Sequence, residues 1–153
     1  MADYTLRTDG GARGNPGPAA AGFVIEAEDG SVVRSGGRYL GETTNNVAEY
    51  EALIWGLETA IEHGVRSLKV CADSELVVRQ VNGVYKVKHP NMKPLHAKVT
   101  ALMRRFERVE MCHVRRAENT LADALANEAM DTRSEVGDGV GSGWGATQGS
   151  LFE

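Results

Sequence analysis

The chain has 153 residues and a formal net charge of −4 at pH 7; 42% of its residues are hydrophobic and 25% charged. This balance indicates one globular domain with a real core and argues against indiscriminate polyanion binding. No run approaches the ~18 consecutive apolar residues of a membrane span, and no basic-then-apolar signal precedes Tyr4. We therefore expect a cytoplasmic, monomeric protein with no membrane contact.

The chain opens with a strand that carries a carboxylate into a glycine-rich corner. Residues alternate in character from Tyr4 to Asp9, so Asp9 is predicted to project from a sheet face. The glycine pair that follows permits a bend or a close backbone approach, and the Asn15–Gly17 run is typical of a turn. This pattern alone is equally consistent with Asp9 ending an edge strand before a hairpin.

The remaining pattern predicts alternating strands and helices. Two strands joined by an Asp-Gly turn follow the first and make an antiparallel meander. A capped helix comes next, and strands and helices then alternate. The predicted elements after the first strand are Ala19–Ala27, Val32–Leu40, a helix from Val47 to His63, strand Ser67–Ala72, helix Glu75–Val81, helix Leu95–Arg105, strand Val109–Val114 and helix Asn119–Thr132.

Strands that alternate with helices after a meander predict an α/β fold with a five-stranded mixed sheet, in which strands 4 and 5 run parallel and helices flank the sheet. Residues 1–133 form the predicted folded domain. Residues 134–153 are glycine-rich and are predicted to be a disordered tail. Both cysteines, Cys71 and Cys112, lie in strand-like runs, and we interpret them as buried thiols rather than a disulfide.

Basic residues are concentrated between Arg79 and Arg116, where ten Lys and Arg face only two acids. Such asymmetry can mark a nucleic-acid footprint. A solvated helix face is the alternative, which we favour for Arg104, Arg105 and Arg108.

Four acids occupy positions where a solvated charge is not expected. Asp9 lies in a strand, and Asp73 follows a strand predicted to run parallel to it, at the edge where open α/β sheets place ligands. Glu49 and Asp123 fall at the margins of the apolar stripes of their helices. Each acid alone is adequately explained by capping or by the surface. Together they would repel unless cations neutralise them, and an oxygen-only set suits Mg²⁺ or Mn²⁺.

Four runs together resemble type 1 ribonuclease H with a short basic loop: TDGGARGNPGPAAAG, TTNNVAEYEAL, CADSELVVRQV and AENTLADALANEA. The resemblance covers residues 3–132. It implies an endoribonuclease that hydrolyses the RNA strand of RNA–DNA hybrids, leaves 3′-hydroxyl and 5′-phosphate ends, and serves in primer and R-loop removal. It also implies two Mg²⁺ ions, for which Mn²⁺ can substitute, held by Asp9, Glu49, Asp73 and Asp123.

The resemblance further implies a set of substrate contacts. Gly11, Asn15 and Asn45 would lie along the RNA minor groove, and Thr44 and Asn46 would approach the DNA strand. The alternative for the Asn and Thr run is plain helix capping. The family's basic handle is short in this chain, so Lys86 and Lys88 would have to serve.

Two further positions depart from the family pattern. Glu75 stands where many bacterial members have Gln, and a carboxylate cannot donate a hydrogen bond to a 2′-hydroxyl. Glu75 could instead contact the residues that bind the metal ions. His113 has a spacing that suits the family's product-release histidine, but we place it inside a strand. Arg115 or Arg116 is then the candidate that assists release, and we select Arg116.

Two other functions remain possible for this fold. A non-catalytic module that binds hybrids or double-stranded RNA is the first, although a binder gains nothing from acids that repel phosphate. A nuclease relative that acts on DNA is the second. Separately, Gln148–Phe152 resembles the short peptide that docks on a sliding clamp, with a flexible tether before it. The alternative for that segment is a featureless end or a linker.

Overall fold

A computed structural model of the chain describes residues 3–137. Within them, five strands and four α-helices follow one another, with a short 3₁₀ turn at Arg116–Glu118. In chain order the elements are β1 (Tyr4–Ala12), β2 (Gly17–Ala27), β3 (Val32–Thr43), α1 (Asn45–Glu62), β4 (Ser67–Ala72), α2 (Glu75–Val81), α3 (Lys93–Met103), β5 (Arg108–His113) and α4 (Thr120–Thr132).

The sheet has the strand order β3-β2-β1-β4-β5, which confirms the predicted mixed sheet. β1, β2 and β3 pair antiparallel as a meander. β4 and β5 run parallel to β1, with Thr8 beside Ala72 near the carboxyl ends of β1 and β4. This register puts the residues that follow Thr8 and Ala72 at the same edge of the sheet.

Helices cover both faces of the sheet. On one face, α1 packs its buried residues Leu53 and Leu57 into a core with Leu6 and Phe23. On the other face, α4 lies over β2, where a Cβ at Gly22 would overlap the carbonyl oxygen of Ala122. Gly22 thus lets α4 lie close to β2, the strand that pairs with the one carrying Asp9.

Every predicted element except β4 and α2 differs from the observed one by one to three residues at one end or both, and two of these differences have a clear physical reason. β1 continues through the glycine corner to Ala12, because Gly10, Gly11 and Ala12 pair with β2 in unbroken register. α3 begins at Lys93, two residues before the predicted start, since proline is well accommodated in the first turn of a helix. The predicted spans of β4 and α2 are confirmed.

The ordered domain extends beyond residue 133. Val136 exchanges backbone hydrogen bonds with Gly37 on β3 and packs beside Ala126 and Ala129. The first residues of the predicted disordered tail are therefore part of the fold. The predicted clamp motif, Gln148–Phe152, lies outside the described residues and stays a prediction.

Both cysteines are free thiols, as predicted. Cys71 is buried, whereas Cys112 is only partly buried, so the prediction that both are buried is wrong for Cys112. Among residues 3–137, no helix is long and apolar enough to cross a membrane.

Candidate active site

Three of the four predicted acids meet at the carboxyl end of β1 and β4. Asp9 lies on β1 with 9% of its surface exposed, Asp73 directly follows β4, and Glu49 projects from the second turn of α1. One carboxylate oxygen from each lies within 4.8 Å of the other two. The strand register brings Asp9 and Asp73 together, and α1 adds Glu49 from the helical layer.

Gly10 is the reason that Glu49 can reach this cluster. A Cβ at this position would overlap the carbonyl oxygen of Ala48 and lie 2.6 Å from the backbone nitrogen of Glu49. The missing side chain lets α1 contact β1 directly, and the Gly10 N–H donates to Glu49 Oε1 at 3.1 Å. Gly10 therefore positions one ligand of the cluster through its backbone.

Asp123 is the fourth acid, and it stands beside the other three. It lies in the first turn of α4, where the helix dipole favours an anion. It is close enough to Asp9 to raise the pKa of that residue. The structure thus brings all four predicted acids together, with Asp9 central.

Burial and mutual repulsion raise the pKa of two of these acids. Burial is the largest cause of the rise in the pKa of Asp9 to about 9, and the charges of Glu49, Asp73 and Asp123 add to it. The pKa of Glu49 is raised to about 8 by burial and by Asp73, against the opposing effects of the Gly10 N–H and the Arg116 charge. The site therefore disfavours its own negative charges and fits hard cations bound through oxygen.

We expect the metal-free protein to lose stability as the pH rises from about 4 toward about 9. The folded state holds protons on Asp9 and Glu49 that the unfolded chain releases near its ordinary carboxyl pKa of about 4. The stabilisation is complete below that value and is lost as the pH rises through the folded values of about 8 and 9. Melting temperatures in EDTA between about pH 5 and about pH 9 would measure this trend. Mg²⁺ should flatten it, and a melting temperature that rises with pH in EDTA would contradict it.

Asn119 lies in the site but was not among the residues predicted to form it. It is 1% exposed, and its Nδ2 donates to the Thr8 carbonyl oxygen at 2.7 Å and to Asp73 Oδ2 at 3.4 Å. Its own carbonyl accepts from the Asp123 N–H at 3.1 Å. One side chain thus links β1, the end of β4 and the start of α4. The sequence feature that could have identified Asn119 is its position four residues before Asp123 in the run AENTLAD.

We expect Asn119→Asp to lower kcat/KM for the hybrid cleavage that the family resemblance implies by about 10- to 100-fold, the loss typical when a partner of metal ligands is removed. The replacement keeps the shape but removes both N–H donors and adds a charge beside Asp73. Asn91→Asp, at an exposed position before α3, makes the same chemical change away from the acids and is the matched control. Cleavage rates across a Mg²⁺ titration would measure the effect. Equal behaviour of the two variants would contradict this role.

The predicted Asn and Thr contacts form a connected surface beside the acids. Asn45 Oδ1 accepts from the Ala12 N–H at 2.7 Å, and Asn15 Oδ1 accepts from the Asn45 N–H at 3.0 Å. Thr44 caps α1 by accepting from the Val47 N–H at 3.3 Å, which confirms the capping interpretation for that residue. Gly11 lies next to Asn45, since a Cβ there would sit 3.5 Å from Asn45 Oδ1. Asn46 follows in the first turn of α1.

The predicted basic handle lies apart from this surface, between α2 and α3. Lys86 and Lys88 are exposed there, and Lys86 lines an open depression of about 470 Å³ together with Tyr85 and Lys93. Glu75 lies on α2, where it accepts from Arg79 Nε at 2.9 Å. The structure therefore engages Glu75 with a basic neighbour rather than with the acids.

His113 and Arg116 occupy different positions around the acids. His113 is the last residue of β5, which confirms that it lies inside the strand. Arg116 begins the 3₁₀ turn before α4, and its charge acts on Glu49. Of the two, only Arg116 is among the groups whose charge shifts the pKa of Glu49.

Comparisons with known proteins agree with this architecture. A profile of the family described as "Reverse transcriptase-like" matches residues 7–129. A bifunctional protein of Mycobacterium tuberculosis is 46% identical over 131 residues, which cover 85% of this chain and 36% of that protein. Ribonuclease HI of Halobacterium salinarum is 44% identical over 123 residues, 80% of this chain and 62% of that enzyme. The chain thus spans only part of the length of these relatives.

A solved structure is similar over almost its whole length. It is LC11-RNase H1, isolated from compost, in complex with an RNA/DNA hybrid, and it shares 46% sequence identity with this chain. The match has a TM-score of 0.81 and covers 85% of this chain and 98% of that one.

Proposed function

This chain belongs to the ribonuclease H family, and on that premise we propose that it is an endoribonuclease that hydrolyses the RNA strand of RNA–DNA hybrids. One observation carries the proposal: Asp9, Glu49 and Asp73 converge within 4.8 Å, with Asp123 beside Asp9. Removal of RNA from primers and R-loops is the role such an activity would serve.

We propose that the four acids hold two Mg²⁺ ions. Asp9 and Asp73 would contribute most centrally, Glu49 would contribute to one ion, and Asp123 would complete the set. Bound divalent ions supply activation of water and stabilisation of the leaving 3′-oxygen in phosphodiester hydrolysis. The raised pKa values of Asp9 and Glu49 support this assignment, because cations would replace the protons that otherwise neutralise the cluster.

Other side chains would position the substrate and the acids. Asn119 holds one oxygen of Asp73, and the Gly10 N–H holds one oxygen of Glu49, so the remaining oxygens are oriented for ligation. Asn15 and Asn45 present amides next to Gly11, where they would contact ribose hydroxyls of the RNA strand. Lys86 and Lys88 would contact phosphates, which makes hybrid affinity sensitive to salt.

Cleavage of a labelled hybrid tests the proposal. The protein with Mg²⁺ should cut the RNA strand of an RNA–DNA duplex, leave 5′-phosphate ends, and spare matched double-stranded RNA and DNA. EDTA should abolish the reaction, and Mn²⁺ should restore it. Hybrid binding without cleavage in Mg²⁺ or Mn²⁺ would instead indicate the non-catalytic binding module.

We expect Arg116→Ala to slow steady-state turnover about tenfold, the loss expected from removing one charged hydrogen-bonding group. Arg116 lowers the pKa of Glu49 through its charge, whereas His113 is not among the groups that shift it. His113→Ala should therefore change turnover much less. Comparison of burst and steady-state rates on one hybrid would separate cleavage from product release. The reverse ranking of the two variants would overturn the assignment of Arg116 to release.

A further inference from the structure

The two cysteines are neighbours in space although 41 residues separate them along the chain. Cys71 on β4 pairs with Cys112 on β5 in the parallel register, and their Sγ atoms lie 3.6 Å apart. Adjacent strands are ~4.7–4.9 Å apart, within the range of ~4.4–6.8 Å that disulfides require between Cα atoms. The pair can therefore become a disulfide with a small adjustment of two strands that are already hydrogen-bonded.

This pair lies on the more open face of the sheet. The alternate residues Val70 and Met111 point into the core, so Cys71 and Cys112 project from the opposite face. There, Lys69 and Glu110 are exposed, and Cys112 is partly exposed while Cys71 is 2% exposed. A small oxidant therefore reaches the Cys112 sulfur first, and the buried Cys71 sulfur is in contact with it.

We propose that Cys71 and Cys112 form a reversible modification site, which a hydroperoxide converts from a dithiol to an intramolecular disulfide. Cys112 Sγ attacks one peroxide oxygen and the O–O bond breaks, which gives a sulfenic acid and one molecule of water or alcohol. Cys71 Sγ then attacks the Cys112 sulfur, the S–O bond breaks, and a second water leaves with the thiol proton. The two thiols lose two electrons in total, and the hydroperoxide gains them.

The position of the pair gives the modification a consequence at the acidic site. Cys71 is two residues before Asp73, and Cys112 is followed by the segment that carries Arg116. Closing the sulfurs from 3.6 Å to the ~2.05 Å of a disulfide requires rotation of both side chains, and we expect it to draw the ends of β4 and β5 slightly together beside Asp73. Metal-binding constellations tolerate only about 0.5 Å of displacement. On the premise of the proposed nuclease function, the oxidised protein should lose about tenfold in kcat/KM, and a dithiol reductant should restore it.

The primary test measures the thiols and is independent of nuclease activity. The full chain, reduced and then exposed to hydrogen peroxide, should lose two hydrogens in its intact mass and both free thiols, and remain monomeric. Proteolysis should yield a Cys71 peptide joined to a Cys112 peptide, and dithiothreitol should release it. A chain-to-chain dimer, a sulfinic acid on Cys112 with Cys71 still free, or no reaction would each overturn the site.

Two cysteine variants test whether the disulfide causes the loss of cleavage. Cys112→Ser replaces the partly exposed thiol and Cys71→Ala the buried one, so a folding defect in one leaves the other usable. Peroxide should leave both without an intramolecular disulfide and with unchanged hybrid cleavage. Disulfide formation without loss of cleavage would retain the site and overturn its link to the acids. If the reduced wild-type protein cleaves no hybrid, the proposed function fails, while the thiol measurement still decides this inference.

Discussion

Asp9→Asn is expected to lower hybrid cleavage at least about 10³-fold while leaving hybrid binding intact. Bound ions supply several kcal/mol of transition-state stabilisation, and each ~1.4 kcal/mol is tenfold in rate. Asp9 lies at the centre of the cluster, where its negative charge is repelled by those of Glu49, Asp73 and Asp123. An amide at this position keeps the shape but is a poor ligand for a hard cation, so binding should survive and hydrolysis should not.

The same variant should be more stable than the wild-type protein when no metal is present. The pKa of Asp9 is raised to about 9 because its charged form is buried among other acids, and Asn removes that cost. A higher melting temperature in EDTA near pH 9, together with a lost metal-induced shift, would demonstrate both effects. Asp131→Asn, at an exposed ion pair with Arg13, is the matched control and should cleave normally. Retained cleavage by Asp9→Asn would sink the proposed function.

Gly10→Ala should destabilise the domain by about 3 kcal/mol, at the upper end for overpacking. The new Cβ would meet three atoms of the α1 backbone, in Ala48 and Glu49, and backbone atoms cannot rotate away. α1 would have to move off β1, which would also lengthen the hydrogen bond from the Gly10 N–H to Glu49. We therefore expect a fall in stability and a weaker response to Mg²⁺ in the same variant.

Gly11→Ala is the control for Gly10→Ala. The nearest atom to its Cβ is Asn45 Oδ1 at 3.5 Å, an ordinary contact with a side chain, and no positive φ is required there. Its stability should stay within about 1 kcal/mol of the wild-type value. Urea unfolding monitored by circular dichroism would measure both variants. Equal midpoints for the two would contradict the close approach of α1 and β1.

Local pattern was sufficient for most of the fold and for the identity of the acids. Periodicity placed β4 and α2 correctly, because their apolar residues and Ser74 cap are signals within a few positions of one another. The local pattern gave wrong boundaries where hydrogen bonds to a neighbouring strand outweigh the conformational preference of the residues themselves. The glycine corner stays in β1 because β2 supplies its hydrogen bonds, and Val136 is ordered because Gly37 on β3 pairs with it.

The sequence by itself determined the four candidate acids as a set. Each acid alone is explained by capping or by the surface, but the four together would repel one another unless cations neutralised them. Only the tertiary structure decided how close these acids lie and how far the pKa values of Asp9 and Glu49 are raised. It also revealed the link from Asn119 to Thr8 across 111 positions and the contact between the two cysteines. Such distances depend on strand register and on how the helical layers pack, and no pattern confined to neighbouring residues specifies them.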